Sequence, residues 1–151
     1  MHAKRIVIVA EDDADIRDGL ANILNDEGYE TRTARDGAEA LSVLESLNGA
    51  PCILLLDLMM PGVSGADVLV VLAREHRLSE VPVIVCSAVA GTPKLPIGVR
   101  QFISKPLSIE TLLDALETIG KQEAARRSDT VLGAHAAADA GDPERRFASA
   151  K

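Results

Sequence analysis

Five polar residues stand at the ends of short strand-like segments, and together their side chains could handle a phosphoryl group. They are Glu11, Asp12, Asp57, Ser87 and Lys105. Carboxylates gathered in a partly desolvated pocket repel one another, so such a pocket needs a positive charge. Mg²⁺ suits this need because it binds one or two carboxylates and completes its coordination with water and phosphate oxygens. With a lysine and a serine as donors to phosphoryl oxygens, the set favours phosphoryl transfer to a carboxylate.

The segments that precede these residues are predicted to form a parallel sheet. Ile6–Ala10 and residues 52–56 and 83–86 are apolar runs of strand length, and weaker runs at 29–33 and 101–104 complete a set of five predicted strands. The carboxyl ends of parallel strands meet at one edge of the sheet, where ligands bind. We therefore expect the five polar side chains to lie close together at that edge.

Helical patterns alternate with these strands. Apolar residues recur at helical spacing after the first strand, and further helices are predicted from Asp36-Gly37, over 66–74, and from the N-cap Ser108 to the stop signal Gly120. This alternation predicts an α/β fold with a doubly wound, five-stranded parallel sheet covered by helices on both faces.

Charge and composition divide the chain into a folded part and a tail. Residues 1–120 hold 10 basic and 18 acidic side chains, whereas residues 121–151 hold nine alanines and show no sustained apolar periodicity. We expect one folded domain over 1–120 and a flexible, Ala-rich tail over 121–151. The acidic domain argues against a nucleic-acid partner, because binding to phosphates requires clustered Lys and Arg.

The lengths of the apolar runs indicate the cellular compartment of the protein. None approaches the roughly 18 residues that a membrane span needs, and the N-terminal run is too short for the core of a signal peptide. We expect a cytoplasmic protein with no membrane partner, while the oligomeric state stays open.

Four motifs, in order and at the predicted strand ends, resemble the receiver domain of two-component response regulators. They are residues 8–13 (IVAEDD), 54–62 (LLLDLMMPG) with Gly65, 86–88 (CSA) and 104–106 (SKP). The resemblance covers about residues 4–120. It implies a five-stranded, flavodoxin-like, CheY-like receiver that accepts phosphate on Asp57 from a histidine kinase, a histidine phosphotransfer protein or a small phosphodonor.

The resemblance also implies a role for each site residue. Glu11 and Asp12 would hold Mg²⁺ together with Asp57 and the backbone carbonyl of Met59. Ser87 and Lys105 would contact the phosphoryl group, Ser87 and Phe102 would be the switch residues, and the Lys105-Pro106 peptide bond would be cis. Such a domain is not an enzyme towards other molecules, since it catalyses only its own phosphorylation and dephosphorylation.

The segment between Ser87 and Lys105 departs from the family pattern. It holds 17 residues, fewer than the family usually has, and residues 91–98 are rich in helix breakers. We therefore expect the fourth helix to be shortened or replaced by a loop.

Several alternatives stay open at this point. Asp13 could cap the first helix or bind the metal, and Phe102 could simply pack in the core. The protein could be a receiver-like interaction module that works without phosphate, or a phosphohydrolase or nucleotide-binding enzyme. The intact acidic set argues against the former, and the lack of a Gly-rich phosphate loop against the latter.

The function we predict is a single-domain response regulator that signals through altered contacts with a downstream protein. The tail over 121–151 is too short for a DNA-binding output domain. The family resemblance also places Met59 and Val89 beside the path of a hydrolytic water. Because both are apolar, we expect slow loss of phosphate from Asp57.

Overall fold

The computed structural model describes residues 5–88 and 94–139. Within these ranges the elements are β1 Ile6–Ala10, α1 Ala14–Asp26, β2 Glu30–Ala34, α2 Gly37–Ser46, β3 Cys52–Asp57, α3 Gly65–Arg74, β4 Val83–Ser87, β5 Val99–Ser104 and α4 Ile109–Asp139. The strands form one sheet in the order β2-β1-β3-β4-β5, and every neighbouring pair is parallel. The predicted doubly wound α/β fold is confirmed.

The central strands are buried because their sequences are almost wholly apolar. Every residue of β3 and β4 is buried, as a parallel sheet covered on both faces requires. One core cluster joins alternate strand residues such as Ile8 and Leu54 to Leu44 of α2 and Leu72 of α3. This packing fixes β1, β3 and β4 side by side and so aligns the strand ends from which the polar side chains project.

The helices begin at residues that satisfy their free N–H groups. The Asp36 carboxylate accepts a hydrogen bond from the backbone N–H of Glu39 at 2.8 Å. Ser64 and Asp67 form a capping box at the start of α3. The predicted cap Ser108 is confirmed, since its hydroxyl accepts from the N–H of Thr111 at 3.3 Å.

The connection from β4 to β5 was expected to hold a shortened helix or a loop. Residues 94–98 contain no helix, and residues 89–93, which include Val89, lie outside the described residues.

The last helix is longer than predicted. We expected it to end at Gly120, but α4 continues to Asp139, so that prediction is wrong. A glycine inside a helix costs only about 1 kcal/mol, and the residues that follow are rich in alanine, the best helix former. The boundary at residue 121 and the flexibility of the tail remain predictions, and residues 140–151 lie outside the described part of the chain.

The chain divides into two compact units. Met1–Ala115 contains the whole sheet, and Leu116–Lys151 contains the rest of α4. Among the helices of the described residues, none is long and apolar enough to cross a membrane.

Candidate functional site

The predicted site residues lie at one edge of the sheet, at the carboxyl ends of the adjacent strands β1, β3, β4 and β5. Pairing of Asp57 with Cys86 and of Ser87 with Ser104 makes the ends of β3, β4 and β5 level. Glu11 follows β1 directly and, like Asp57 and Ser87, is buried. Strand register therefore places groups that are distant in sequence in one pocket.

Lys105 links two of the acidic side chains. Its Nζ donates to Glu11 Oε1 at 2.8 Å and to Asp57 Oδ2 at 3.2 Å. The two carboxylates are 5% and 7% exposed and the lysine 22%, so these charge-assisted hydrogen bonds lie in a site largely shielded from water. The bond to Glu11 was not predicted, because the sequence suggested only a phosphoryl contact for Lys105.

Glu11, Asp12 and Asp57 have the arrangement of a cation site. Each offers a carboxylate oxygen, and these oxygens lie within 4.8 Å of one another. Among the described residues, Glu11 Oε2 has no hydrogen-bond partner although it is buried. A buried acceptor without a donor is costly, and all the available ligands are the hard oxygens that Mg²⁺ prefers. The residues present therefore fit Mg²⁺.

The acidic side chains of the site give it an excess of negative charge. Burial, and to a lesser extent the adjacent Asp57, raise the pKa of Glu11 from 4.5 to about 7, although Lys105 opposes the change. For Lys105, burial would lower the pKa, but its hydrogen bonds to Glu11 and Asp57 outweigh that effect and the pKa is raised. Lys105 thus stays charged at neutral pH and does not by itself offset the buried acids.

The loop after β3 holds the Asp57 side chain from the other side. The backbone N–H of Met59 donates to Asp57 Oδ1 at 3.1 Å. The N–H of Gly65 donates to the Leu58 carbonyl at 3.1 Å, and a Cβ at Gly65 would lie only 2.1 Å from the Asp57 carbonyl oxygen. The start of α3 can pack on the peptide of Asp57 only because residue 65 has no side chain.

Asp13 is a helix cap in this structure. Its Oδ1 accepts hydrogen bonds from the N–H groups of Asp15 and Ile16 at 3.0 and 3.2 Å, and it is not part of the acidic cluster. Of its two possible roles, capping is the one that the geometry supports.

Arg17 is a contributor that the sequence did not reveal. Its Nη1 donates to the backbone carbonyl of Glu11 at 3.1 Å, in a partly buried position. This bond ties the first turn of α1 to Glu11, a member of the acidic cluster. The sequence could not predict this hydrogen bond, because an arginine in a helix usually faces solvent. The contact depends on how the chain turns between β1 and α1.

The two predicted switch residues occupy different surroundings. Ser87 is fully buried, and its hydroxyl has no hydrogen-bond partner among the described residues. Phe102 is half-buried in β5 and packs against the core cluster rather than joining the acidic residues.

Two further predicted features lie in the loops after β3 and β5. Met59 is 67% exposed. The Lys105-Pro106 peptide bond is cis, as predicted.

A cavity of about 350 Å³ opens beside the site. Its lining includes Ile16 and Leu20 of α1, Leu107 after β5, and Asp57 and Lys105. Asp57 therefore lies on the wall of this cavity.

Known proteins resemble this chain in sequence and in fold. A family model described as the response regulator receiver domain matches residues 7–117. The DNA-binding response regulator MtrA of Mycobacterium tuberculosis is 33% identical over 111 residues, which cover 71% of this chain and 46% of MtrA. The sensory transduction protein RegX3 of the same species is 35% identical over 134 residues, covering 83% of this chain and 56% of RegX3. The chain thus spans about half the length of these relatives.

Solved structures of receiver domains have a similar fold. A CheY-like receiver domain protein of Methanospirillum hungatei superimposes with a TM-score of 0.63 at 26% identity, covering 74% of this chain and 90% of that one. The receiver domain of the Francisella response regulator 1452 superimposes with a TM-score of 0.71 at 28% identity, covering 80% and 99%.

These relatives overturn one prediction from composition. We excluded a nucleic-acid partner because the domain is acidic, but MtrA is named a DNA-binding response regulator. The inference was wrong because the acidic residues include Glu11, Asp12 and Asp57, whose charge is gathered in one pocket at the edge of the sheet. It does not report on what a protein with this domain binds.

Proposed function

Because the chain belongs to the response regulator receiver family, we propose that it accepts a phosphoryl group on Asp57 from a histidine kinase or a histidine phosphotransfer protein, in a Mg²⁺-dependent reaction. The observation that carries the proposal is the buried Asp57 carboxylate, held between the Met59 N–H and Lys105 Nζ beside Glu11 and Asp12. A carboxylate so held is oriented for attack on phosphorus. The bond from phosphorus to the donor breaks as the bond to Asp57 forms, giving an acyl phosphate.

Glu11, Asp12 and Asp57, with the Met59 backbone carbonyl, are the proposed ligands of Mg²⁺. When bound, the metal would supply positive charge that stabilises the phosphoryl oxygens. Lys105 supplies the second charge, and it must exchange its bond to Asp57 Oδ2 for one to a phosphoryl oxygen. The Ser87 hydroxyl is suited to donate to another, since it has no partner among the described residues.

Lys105 and Ser87 would then transmit phosphorylation to the rest of the domain, with Phe102 as the aromatic residue that responds. The signal would leave through altered contacts with a downstream protein in the cytoplasm. For the whole protein, the name of the MtrA relatives makes DNA a further candidate target of that output. The domain's own catalysis is limited to its phosphorylation and dephosphorylation.

Phosphotransfer from a panel of autophosphorylated histidine kinases tests the proposal. We expect at least one kinase to label the wild type in the presence of Mg²⁺ and none to label Asp57→Asn. Asp13→Asn is the matched control, because it alters a neighbouring carboxylate that caps α1 and should be labelled like the wild type. Labelling of Asp57→Asn at the wild-type rate would contradict the assignment of the acceptor. Full binding of a downstream protein by Asp57→Asn would instead support a module that works without phosphate.

A further inference from the structure

The first residue of α2 touches the loop that follows the acceptor strand. The N–H of Gly37 donates to the carbonyl of Val63 at 2.8 Å. A Cβ at Gly37 would lie 2.5 Å from that carbonyl oxygen and 2.9 Å from the carbonyl oxygen of Ser64. Both neighbours are backbone atoms, so no side-chain rotation would relieve the overlap. Residue 37 must lack a side chain for α2 and this loop to approach so closely.

The loop, residues 58–64, is closed on itself. The hydrogen bond from Gly65 N–H to the Leu58 carbonyl joins its two ends, and the side chains of Leu58 and Met60 are buried. Met59 lies in this closed loop, and its N–H holds Asp57 Oδ1. A displacement at Val63 would therefore be expected to shift the backbone of Met59.

Helix α2, which begins at Gly37, is held in place by its cap and by the core. The Asp36 cap fixes its first turn, and Ala40 and Leu44 are 0% and 2% exposed within the core. A close-packed core resists such shifts. A side chain added at residue 37 would consequently be accommodated by the loop more than by α2.

We infer that Gly37 is a positioning residue for the metal and acceptor site. It sets where the loop of residues 58–64 lies, and through that loop the place of the Met59 backbone and of the Asp57 carboxylate, without touching either residue. The inference rests on the proposed function and adds to it a determinant outside the pocket, on a different helix.

Mg²⁺ binding to the full chain tests this role. We would measure the Kd by calorimetry, and the Met59 and Leu58 amide signals by NMR, at a temperature where each variant is folded. Gly37→Ala should weaken Mg²⁺ binding about tenfold, as loss of an outer support of a metal site does, and should shift the Met59 amide signal before metal is added.

Two controls separate positioning from stability. Gly19→Ala adds a methyl group in α1, where nothing lies within 4 Å of the new Cβ, and should keep the wild-type Kd. Leu44→Val, in the same helix as Gly37, should lower the melting temperature and also keep the wild-type Kd. A lower melting temperature of Gly37→Ala with an unchanged Kd would overturn the inference.

The outcomes distinguish this inference from the proposed function. Wild-type protein that binds no Mg²⁺ would overturn the proposed function and the inference with it, whereas equal binding by wild type and Gly37→Ala overturns the inference alone. If Gly37→Ala does not fold, Asp36→Ala replaces it, because loss of the cap loosens the Gly37 contact without an overlap. Weaker Mg²⁺ binding by Asp36→Ala would support the role, and an unchanged Kd would contradict it.

Discussion

At the scale of single residues, Glu11 governs how the metal-free site responds to pH. In the unfolded chain its carboxyl titrates near 4.5, whereas in the folded protein burial raises the pKa to about 7. Between these values the folded state binds more protons than the unfolded state, so this group makes stability fall as pH rises from about 4.5 to 7. Above pH 7 its effect is constant.

Unfolding by urea in EDTA at pH 5.5 and at pH 8 measures this effect. We expect the wild type to be less stable at pH 8, and Glu11→Gln, which cannot ionise, to show a smaller difference between the two pH values. Mg²⁺ should reduce the loss at pH 8, because a bound cation offsets the charge that burial disfavours. Identical pH dependence of the wild type and Glu11→Gln would contradict this role of Glu11.

We expect Lys105 to be needed for the conformational response to phosphorylation, and not for the phosphorylation of Asp57 itself. Lys105→Ala should still be phosphorylated by acetyl phosphate at saturating Mg²⁺, since the Asp57 acceptor remains. The changes in the NMR signals of Ser87 and Phe102 that follow phosphorylation should be largely lost. Lys121→Ala, which removes an exposed partner of Glu117, is the control and should respond like the wild type. Normal signal changes in Lys105→Ala would show that another group transmits phosphorylation.

Met59 is expected to control the lifetime of the acyl phosphate. Its apolar side chain cannot orient a water by hydrogen bonding. Met59→Asn should therefore speed phosphate loss by about tenfold, or about 1.4 kcal/mol of barrier. Val70→Asn, also at an exposed apolar position, should leave the rate unchanged. A rate for Met59→Asn equal to that of the wild type would mean that this side chain does not control access of water.

At the scale of elements, helices and strands were predictable where one local signal dominates. The apolar runs identified β1, β3 and β4 to within one residue, and Ser108 marked the start of α4. The end of α4 was not predictable, because the penalty of Gly120 competes with the propensity of many later residues. The contacts of Arg17 and Gly37 were also hidden, since they depend on how separate elements meet.

Helix α1 offers a test of local stability that is independent of the site. Gly19 lies inside α1, and a Cβ added there would have no atom within 4 Å, whereas Gly28, after α1, has φ +97°. Gly19→Ala should stabilise the protein by up to about 1 kcal/mol, because alanine is the better helix former. Gly28→Ala should destabilise it by about 1 kcal/mol, because φ is positive there. Urea unfolding of both variants checks the signs, and equal effects would contradict this description of α1 and its end.

At the scale of the whole molecule, the site follows from the topology of the sheet. Motifs spread from Glu11 to Lys105 come together because parallel strands end at one edge. The sequence allowed that prediction, since every predicted strand except the second is followed or ended by a polar residue of the site at the same end. Composition could not exclude a nucleic-acid partner, because net charge sums over all residues, including the acidic cluster Glu11, Asp12 and Asp57, and says nothing of where a partner binds.

Mg²⁺-dependent phosphorylation of Asp57 is the central claim, and mapping the acyl phosphate tests it most directly. The protein would be treated with acetyl phosphate in Mg²⁺ or in EDTA and reduced with borohydride, which converts a phosphorylated aspartate to homoserine. Peptide mass spectrometry would then locate the homoserine. We expect it at position 57 with Mg²⁺ and at no position with EDTA. Homoserine at position 12 or 13, or equal conversion of Asp57 in EDTA, would contradict the claim.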